Sequence, residues 1–173
     1  MDIIRDMKTD ENGWFTTGRF ESKAFLAGDW DVMIFTDDGA SVEDAEKCIA
    51  HFNAIGGRAH ALEAIEKGLE GFFLYMYDEW DAMGIFDRIV QALKPVMEEY
   101  RKGTALSSFL SSPTLLVYPQ QNGDTGYGIE CECPWEPEHQ CLILIKNDDV
   151  VYVGSSEMLD PWTDEQYLHC VWN

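Results

Sequence analysis

The chain has 173 residues, 46% of them hydrophobic and 13% aromatic, with a formal net charge of −20; that composition suits one domain with a buried core and excludes intrinsic disorder. The longest apolar run, Phe72 to Tyr77, is far short of a membrane span. Residues 103–173 carry eleven acids against one base, Lys146, which excludes nucleic acid and anionic membrane as partners, because phosphate binding needs Lys and Arg.

Taken in order, residues 1–12 read as a polar lead-in, and Asn12-Gly13 supplies turn chemistry. Trp14 to Thr17, Arg19 to Leu26 and Val32 to Phe35 read as short strands, with breaks at Gly18 and at Ala27-Gly28-Asp29. This predicts an N-terminal β meander over residues 1–36. Ser41 and Asp44 form a capping-box pattern at the start of a helix whose face is Val42, Ala45, Ile49 and Phe52. Gly56-Gly57 stops it. A second helix, about Arg58 to Trp80, has Leu62, Ile65, Leu69, Phe72, Met76 and Trp80 as its stripe and Glu63, Glu66 and Glu70 outside. Gly68 and Gly71 weaken that helix by about 1 kcal/mol each, which makes close packing against a neighbour their expected use. A third runs from Ile85 to Tyr100, with Phe86, Ile89, Leu93 and Met97 aligned, and Pro95 is expected to kink or split it. Residues 103–112 form a connector.

Four strands follow: Thr114–Tyr118, Tyr127–Cys133, Cys141–Lys146 and Val150–Val153. Leu142 to Ile145 is apolar on both faces, which suits a central strand. Tyr127 to Cys133 alternates, with Ile129, Cys131 and Cys133 on one side and Glu130 and Glu132 on the other. The aromatic tail, with Trp162, Tyr167, His169 and Trp172, is expected to fold back over the sheet. The order β, α, β predicts a single α+β domain over 1–173. Its antiparallel sheet comprises the N-terminal meander and a C-terminal four-strand meander (113–173), with two or three helices (41–102) packed mainly on one face.

The five cysteines are odd in number and irregular in spacing, and Met1 to Asp6 lacks the pattern of a signal peptide. Reduced thiols in a cytoplasmic protein are therefore expected. Three of these cysteines fall in Glu130 to Cys141. If residues 127–133 and 139–145 pair as a hairpin, Cys131 faces Cys141 and Cys133 faces His139, all on one side of the sheet. That set invites a metal reading through Cys131, Cys133, His139 and Cys141. Geometry opposes it: same-face neighbours lie about 6.7 Å apart along a strand and cross-strand β-carbons about 5 Å apart. A thiolate cannot reach a common zinc from a flat patch so spaced. Other chemistry is weaker. Glu136, Glu138 and His139 could supply acid and base, but no nucleophile or oxyanion hole accompanies them. Cys131-x-Cys133 is a strained spacing for a disulfide. No calcium loop and no phosphate loop is present. No cofactor is expected.

Gly128-Ile129-Glu130-Cys131-Glu132-Cys133-Pro134-Trp135-Glu136-Pro137-Glu138-His139, an apolar strand, then Val151-Tyr152-Val153-Gly154 resembles an uncharacterised bacterial domain family. That family has a Cys-x-Trp-(Asp/Glu)-x-Glu-His-Gly turn, with Gln140 here at the glycine position. The resemblance is to proteins similar to the immunity proteins of polymorphic toxin systems, and it implies binding without catalysis. The resulting expectation is a non-enzymatic protein-binding domain, an immunity-type inhibitor of a basic partner such as a toxin. Its contact residues are Glu130, Glu132, Glu136 and Glu138, with Trp135 as aromatic anchor. Two alternatives stand beside it: Trp135 as a core or turn-packing residue, and a metal- or small-molecule-binding protein or enzyme using the Cys/His cluster.

Overall fold

In the computed structural model, which describes residues 3–84, 87–168 and 170, seven strands form one sheet in the order of the chain. They are β1 (Arg5–Thr9), β2 (Thr16–Ser22), β3 (Gly28–Ile34), β4 (Ser111–Val117), β5 (Gly126–Glu132), β6 (Cys141–Lys146) and β7 (Asp149–Ser155). Helices α1 (Val42–Ala54), α2 (Ala59–Met83) and α3 (Asp87–Arg101) lie between β3 and β4. Neighbouring strands are antiparallel except β3 and β4, which run parallel. The chain is thus α+β as expected, with one correction. The helical crossover returns the chain in the same direction, which joins the two meanders into one mixed sheet.

The elements arise largely where the residue pattern puts them. Ser41 accepts the backbone N–H of Asp44, and Asp44 reaches back to the Ser41 N–H, so the capping box closes both ways. Ala45, Cys48, Ile49 and Phe52 are the buried face of α1, while Val42 is exposed. Helix α2 turns Ile65, Leu69, Phe72 and Trp80 inward. A β-carbon at Gly68 would stand 2.4 Å from Val153 Cγ2, so this glycine lets α2 lie directly on β7. Glu66 and Glu70 are not simply outside. Glu66 accepts the N–H groups of Leu106 and Ser107 at 3.1 and 3.3 Å, and Glu70 accepts the Tyr100 hydroxyl. Pro95 lies within α3 without splitting it. Ile85 and Phe86 lie outside the described residues.

Two expectations at the N-terminus are corrected. Part of the lead-in is strand β1, though all five of its residues are exposed. Gly18 does not break β2: a β-carbon there would meet Ile4 Cγ2 at 2.5 Å. Removing the side chain lets Ile4 tuck against the strand instead of ending it.

The sheet has two unequal faces. The helical face carries Phe20, Trp30, Val32, Ile34, Leu115, Tyr127, Ile129, Cys131, Cys141, Ile143 and Val153, continuous with the helix core. The other face has a smaller cluster of Leu116, Leu142, Leu144 and Tyr152, covered by Leu159, Leu168 and Cys170 of the tail. Strand β6 is buried on both faces, as its unbroken apolar run requires. Trp162 folds back as expected: with Pro161 it fills the space where a β-carbon of Gly126 would lie. Tyr167 stays exposed, while His169 and Trp172 lie outside the described residues. Among the described residues, no helix is long and apolar enough to cross a membrane.

Candidate functional site: the β5–β6 turn and the strap beside it

The register of the hairpin is the one its residues dictate: Ile129 pairs with Ile143 and Cys131 with Cys141. Regular pairing ends there, and residues 133–140 form a wide turn. Gln140, just before β6, has φ +64°. This left-handed conformation suits the glycine of the resembled family, and a side chain there costs about 1 kcal/mol.

The turn is divided into an inner and an outer half. Trp135 belongs to the inner half and is fully buried. Its ring meets Phe73 and Phe72 edge-on, with centroids 5.4 and 6.5 Å away, and its carbonyl accepts the Trp80 indole N–H at 2.9 Å. Among the described residues, the Trp135 indole N–H has no partner. Glu136 is also buried, at 5% exposure. Its Oε1 accepts the backbone N–H groups of Glu138 and His139 at 3.1 and 3.2 Å, and its Oε2 accepts the Ser155 hydroxyl at 3.3 Å. The expectation that Trp135 and Glu136 present themselves to a partner is therefore corrected, and Trp135 follows the alternative reading of a core and turn-packing residue. The indole is large enough to seal the end of the helical core. The carboxylate, two and three residues before the N–H groups it binds, is the acceptor that lets the chain reverse.

The remaining glutamates divide as well. Glu130 is half-buried on the face opposite the helices and accepts the Ser156 hydroxyl at 2.7 Å. Glu132 and Glu138 are exposed, and Glu132 accepts the Ser111 hydroxyl at 3.2 Å. His139 is exposed, its Nδ1 3.4 Å from Glu136 Oε1. The cluster Cys131, Cys133, His139 and Cys141 is not assembled: the three cysteines are buried while the imidazole stands outside. Among the described residues, no group of three or more His, Cys, Asp or Glu side chains is placed to hold a metal ion.

The turn has a neighbour that the residue pattern does not reveal. After β7 the chain runs as a strap over residues 156–168, and Ser156 donates its N–H to the His139 carbonyl at 3.2 Å. Glu157 and Met158 follow at once, both exposed, Met158 completely so. Further along, Asp160 accepts the Trp162 N–H at 2.8 Å and the Thr163 hydroxyl at 3.0 Å. Asp164, Glu165 and Tyr167 lie exposed beyond it. Lys146, the one base in this third of the chain, sits with its Nζ 5.5 Å from the centre of the Trp162 ring, a cation–π contact. Glu132, Glu136, Glu138, His139 and Ser156 line an open groove of about 590 Å³ between turn and strap.

A second polar cluster stands at the other end of β5. His51 of α1 lies 3.1 Å from the Tyr127 hydroxyl and 3.2 Å from Asp148, which also pairs with Arg58. Burial, with the Arg58 charge adding to it, lowers the His51 pKa, so the neutral imidazole is favoured. Tyr127 is wholly buried and its hydroxyl is pushed far above its ordinary range by burial. The cluster ties α1 to the β6–β7 turn and gives a substrate no access to the phenol.

No curated protein and no solved structure matches the chain. The β hairpin with its Trp-Glu-Pro-Glu-His turn, the preceding helices and the N-terminal meander all fall within residues 3–160, which match the model of one family, and the chain therefore belongs to the domain of unknown function DUF6985.

Proposed function

We propose that this protein acts by binding another protein, without catalysing a reaction, and that it is an immunity-type inhibitor of a basic toxin. The observation that carries the reading is the juxtaposition of Glu132 and Glu138 on the turn with Glu157 and Met158 on the strap. It places exposed carboxylates beside a large exposed apolar side chain. Carboxylates steer a basic partner to the surface, and exposed apolar or aromatic side chains supply the contact that keeps it there. Met158 and Tyr167 take the anchoring role expected of Trp135. The only cation of the C-terminal third is already engaged with Trp162, so little opposes a basic partner locally. Trp135 and Glu136 act from beneath, by holding the turn in shape.

Mixing the purified chain with a basic protein encoded beside it should give a stable complex at low salt, resolved by light scattering after gel filtration. Its affinity should weaken as salt rises. Two separate peaks at low salt would contradict the reading.

A further inference from the structure

Tyr127 is 0% exposed, with its ring edge-on to Phe52 and to the His51 imidazole at centroid distances of 6.3 and 5.7 Å. Among the described residues, the one polar partner of its hydroxyl is His51 Nδ1, at 3.1 Å. A hydroxyl has one proton to give, and a buried donor left without an acceptor is costly. Nδ1 therefore accepts from Tyr127 and carries no proton, which places the proton of the neutral ring on Nε2. From there it points to Asp148 Oδ1, 3.2 Å away, an oxygen that also pairs with Arg58. The result is a relay from core to surface. Tyr127 of β5 donates to His51 of α1, and His51 donates to Asp148 in the β6–β7 turn. Arg58, the residue before α2, stands with Nη1 2.9 Å from Nε2 and sets a positive charge beside the ring. The other titratable groups near the ring belong to α1. Burial pushes the Cys48 thiol up to about 12 and keeps it neutral, and exposed Lys47 pairs with Glu43 at 2.9 Å.

We propose that His51 is an acid-released latch: the relay through its unprotonated Nδ1 holds α1 and the start of α2 to the β6–β7 turn, and a proton taken up at Nδ1 lets that corner open. A second proton on the ring has one place to go, Nδ1, where it meets the Tyr127 oxygen. The phenol proton must then turn towards apolar side chains, with no acceptor among the described residues. The imidazolium also stands against the Arg58 guanidinium, and Asp148 is the one anion that faces both. Burial first, and the Arg58 charge with it, holds the His51 pKa below its ordinary value; the orphaned phenol proton works in the same direction. The unfolded chain takes up this proton more readily than the closed corner does. The stabilisation is therefore complete above the ordinary histidine value of about 6.5 and is lost as pH falls below it. Opening relieves both conflicts, because water can accept the phenol proton and separate the two cations.

The test follows the His51 ring in the full chain by heteronuclear NMR, its signals identified by their loss in His51→Gln. The ring nitrogens should report the Nε2–H tautomer at about pH 8, well above the ordinary histidine titration. On acidification the backbone amides of Asn147, Asp148 and Asp149 should shift with the same midpoint as the ring. Tyr127→Phe removes the hydroxyl and keeps the ring, so His51 should titrate at a higher pH than in the parent. Burial alone predicts no such rise, since phenylalanine is at least as apolar. Between about pH 8 and about pH 5, a range that spans that titration, the thermal midpoint should fall further in the parent than in His51→Gln. Should Tyr127→Phe fail to fold, the tautomer and the two thermal midpoints decide. An Nδ1–H tautomer overturns the proposal. So does a His51 titration that Tyr127→Phe leaves in place or lowers, or an equal fall of the thermal midpoint in parent and His51→Gln.

Discussion

Replacing Trp135 by alanine should lower the free energy of unfolding by about 3–5 kcal/mol, the range for truncating a buried large aromatic. The loss should appear as a lower denaturant midpoint with an unchanged slope, because the unfolded chain exposes nearly the same surface. The indole contacts Phe72 and Phe73 of α2 edge-on, and its backbone carbonyl holds the Trp80 side chain. Deleting it opens a cavity where the hairpin meets that helix. Trp135→Phe should cost much less. Phenylalanine keeps an edge for both rings and removes an indole N–H that has no partner among the described residues; an unsatisfied buried donor costs about 1–3 kcal/mol. Equal losses for the two substitutions would mean that the indole N–H is satisfied in solution. An alanine variant as stable as the parent would mean that Trp135 does not seal the core.

Glu136→Ala should cost about 2 kcal/mol, since hydrogen bonds to a charged group contribute about 1.5–3 kcal/mol each and water can replace part of what is lost at a half-exposed turn. Two backbone N–H groups and the Ser155 hydroxyl lose their acceptor together. Glu136→Gln should cost less than about 1 kcal/mol, because its carbonyl oxygen still accepts both N–H groups and its amide can donate to the Ser155 oxygen. Chemical denaturation of both variants checks this. Equal stability of parent and alanine variant would return Glu136 to the list of surface carboxylates. A glutamine variant as weak as the alanine one would show that the charge itself holds the turn.

These two residues mark the limit of what the residue pattern could say about the site. Strand periodicity placed Cys131 opposite Cys141 correctly, because alternation and a symmetric turn leave one register. Beyond Glu132 the chain leaves the strand, and no period applies. Pro134 to His139 looks polar and exposed by composition, yet Trp135 and Glu136 turn inward. Their burial depends on partners distant in the chain: α2 for the indole, Ser155 for the carboxylate. The same reason hid the strap residues that carry the proposed contact surface. Glu157 and Met158 lie far from Glu138 in sequence and come beside it only because β6 and β7 return the chain to the turn. The helices were legible where a cap or an apolar stripe stood alone, as at Ser41 to Phe52. Strand β1 was not, because its five exposed residues carry no inward alternation, and pairing with β2 is what makes it a strand. The parallel β3–β4 pair was hidden too, since strand direction depends on where the helical crossover returns the chain.

The division of the turn also sharpens the functional account. If the inner half shapes the turn and the outer half meets the partner, substitutions in the two halves should separate cleanly. Glu136→Ala lowers stability, whereas neutralising the outer carboxylates leaves stability within about 0.5 kcal/mol of the parent, as for most surface changes.

The measurement that tests the central claim most directly is the association rate of a basic partner with the triple variant Glu132→Gln, Glu138→Gln, Glu157→Gln, followed at several salt concentrations beside the unmodified chain. The account predicts association about tenfold slower at low salt with a flatter salt dependence, because three steering charges are gone while fold and anchors remain. Association at the parental rate, with the parental salt slope, would contradict it and show that the edge formed by turn and strap does not meet the partner.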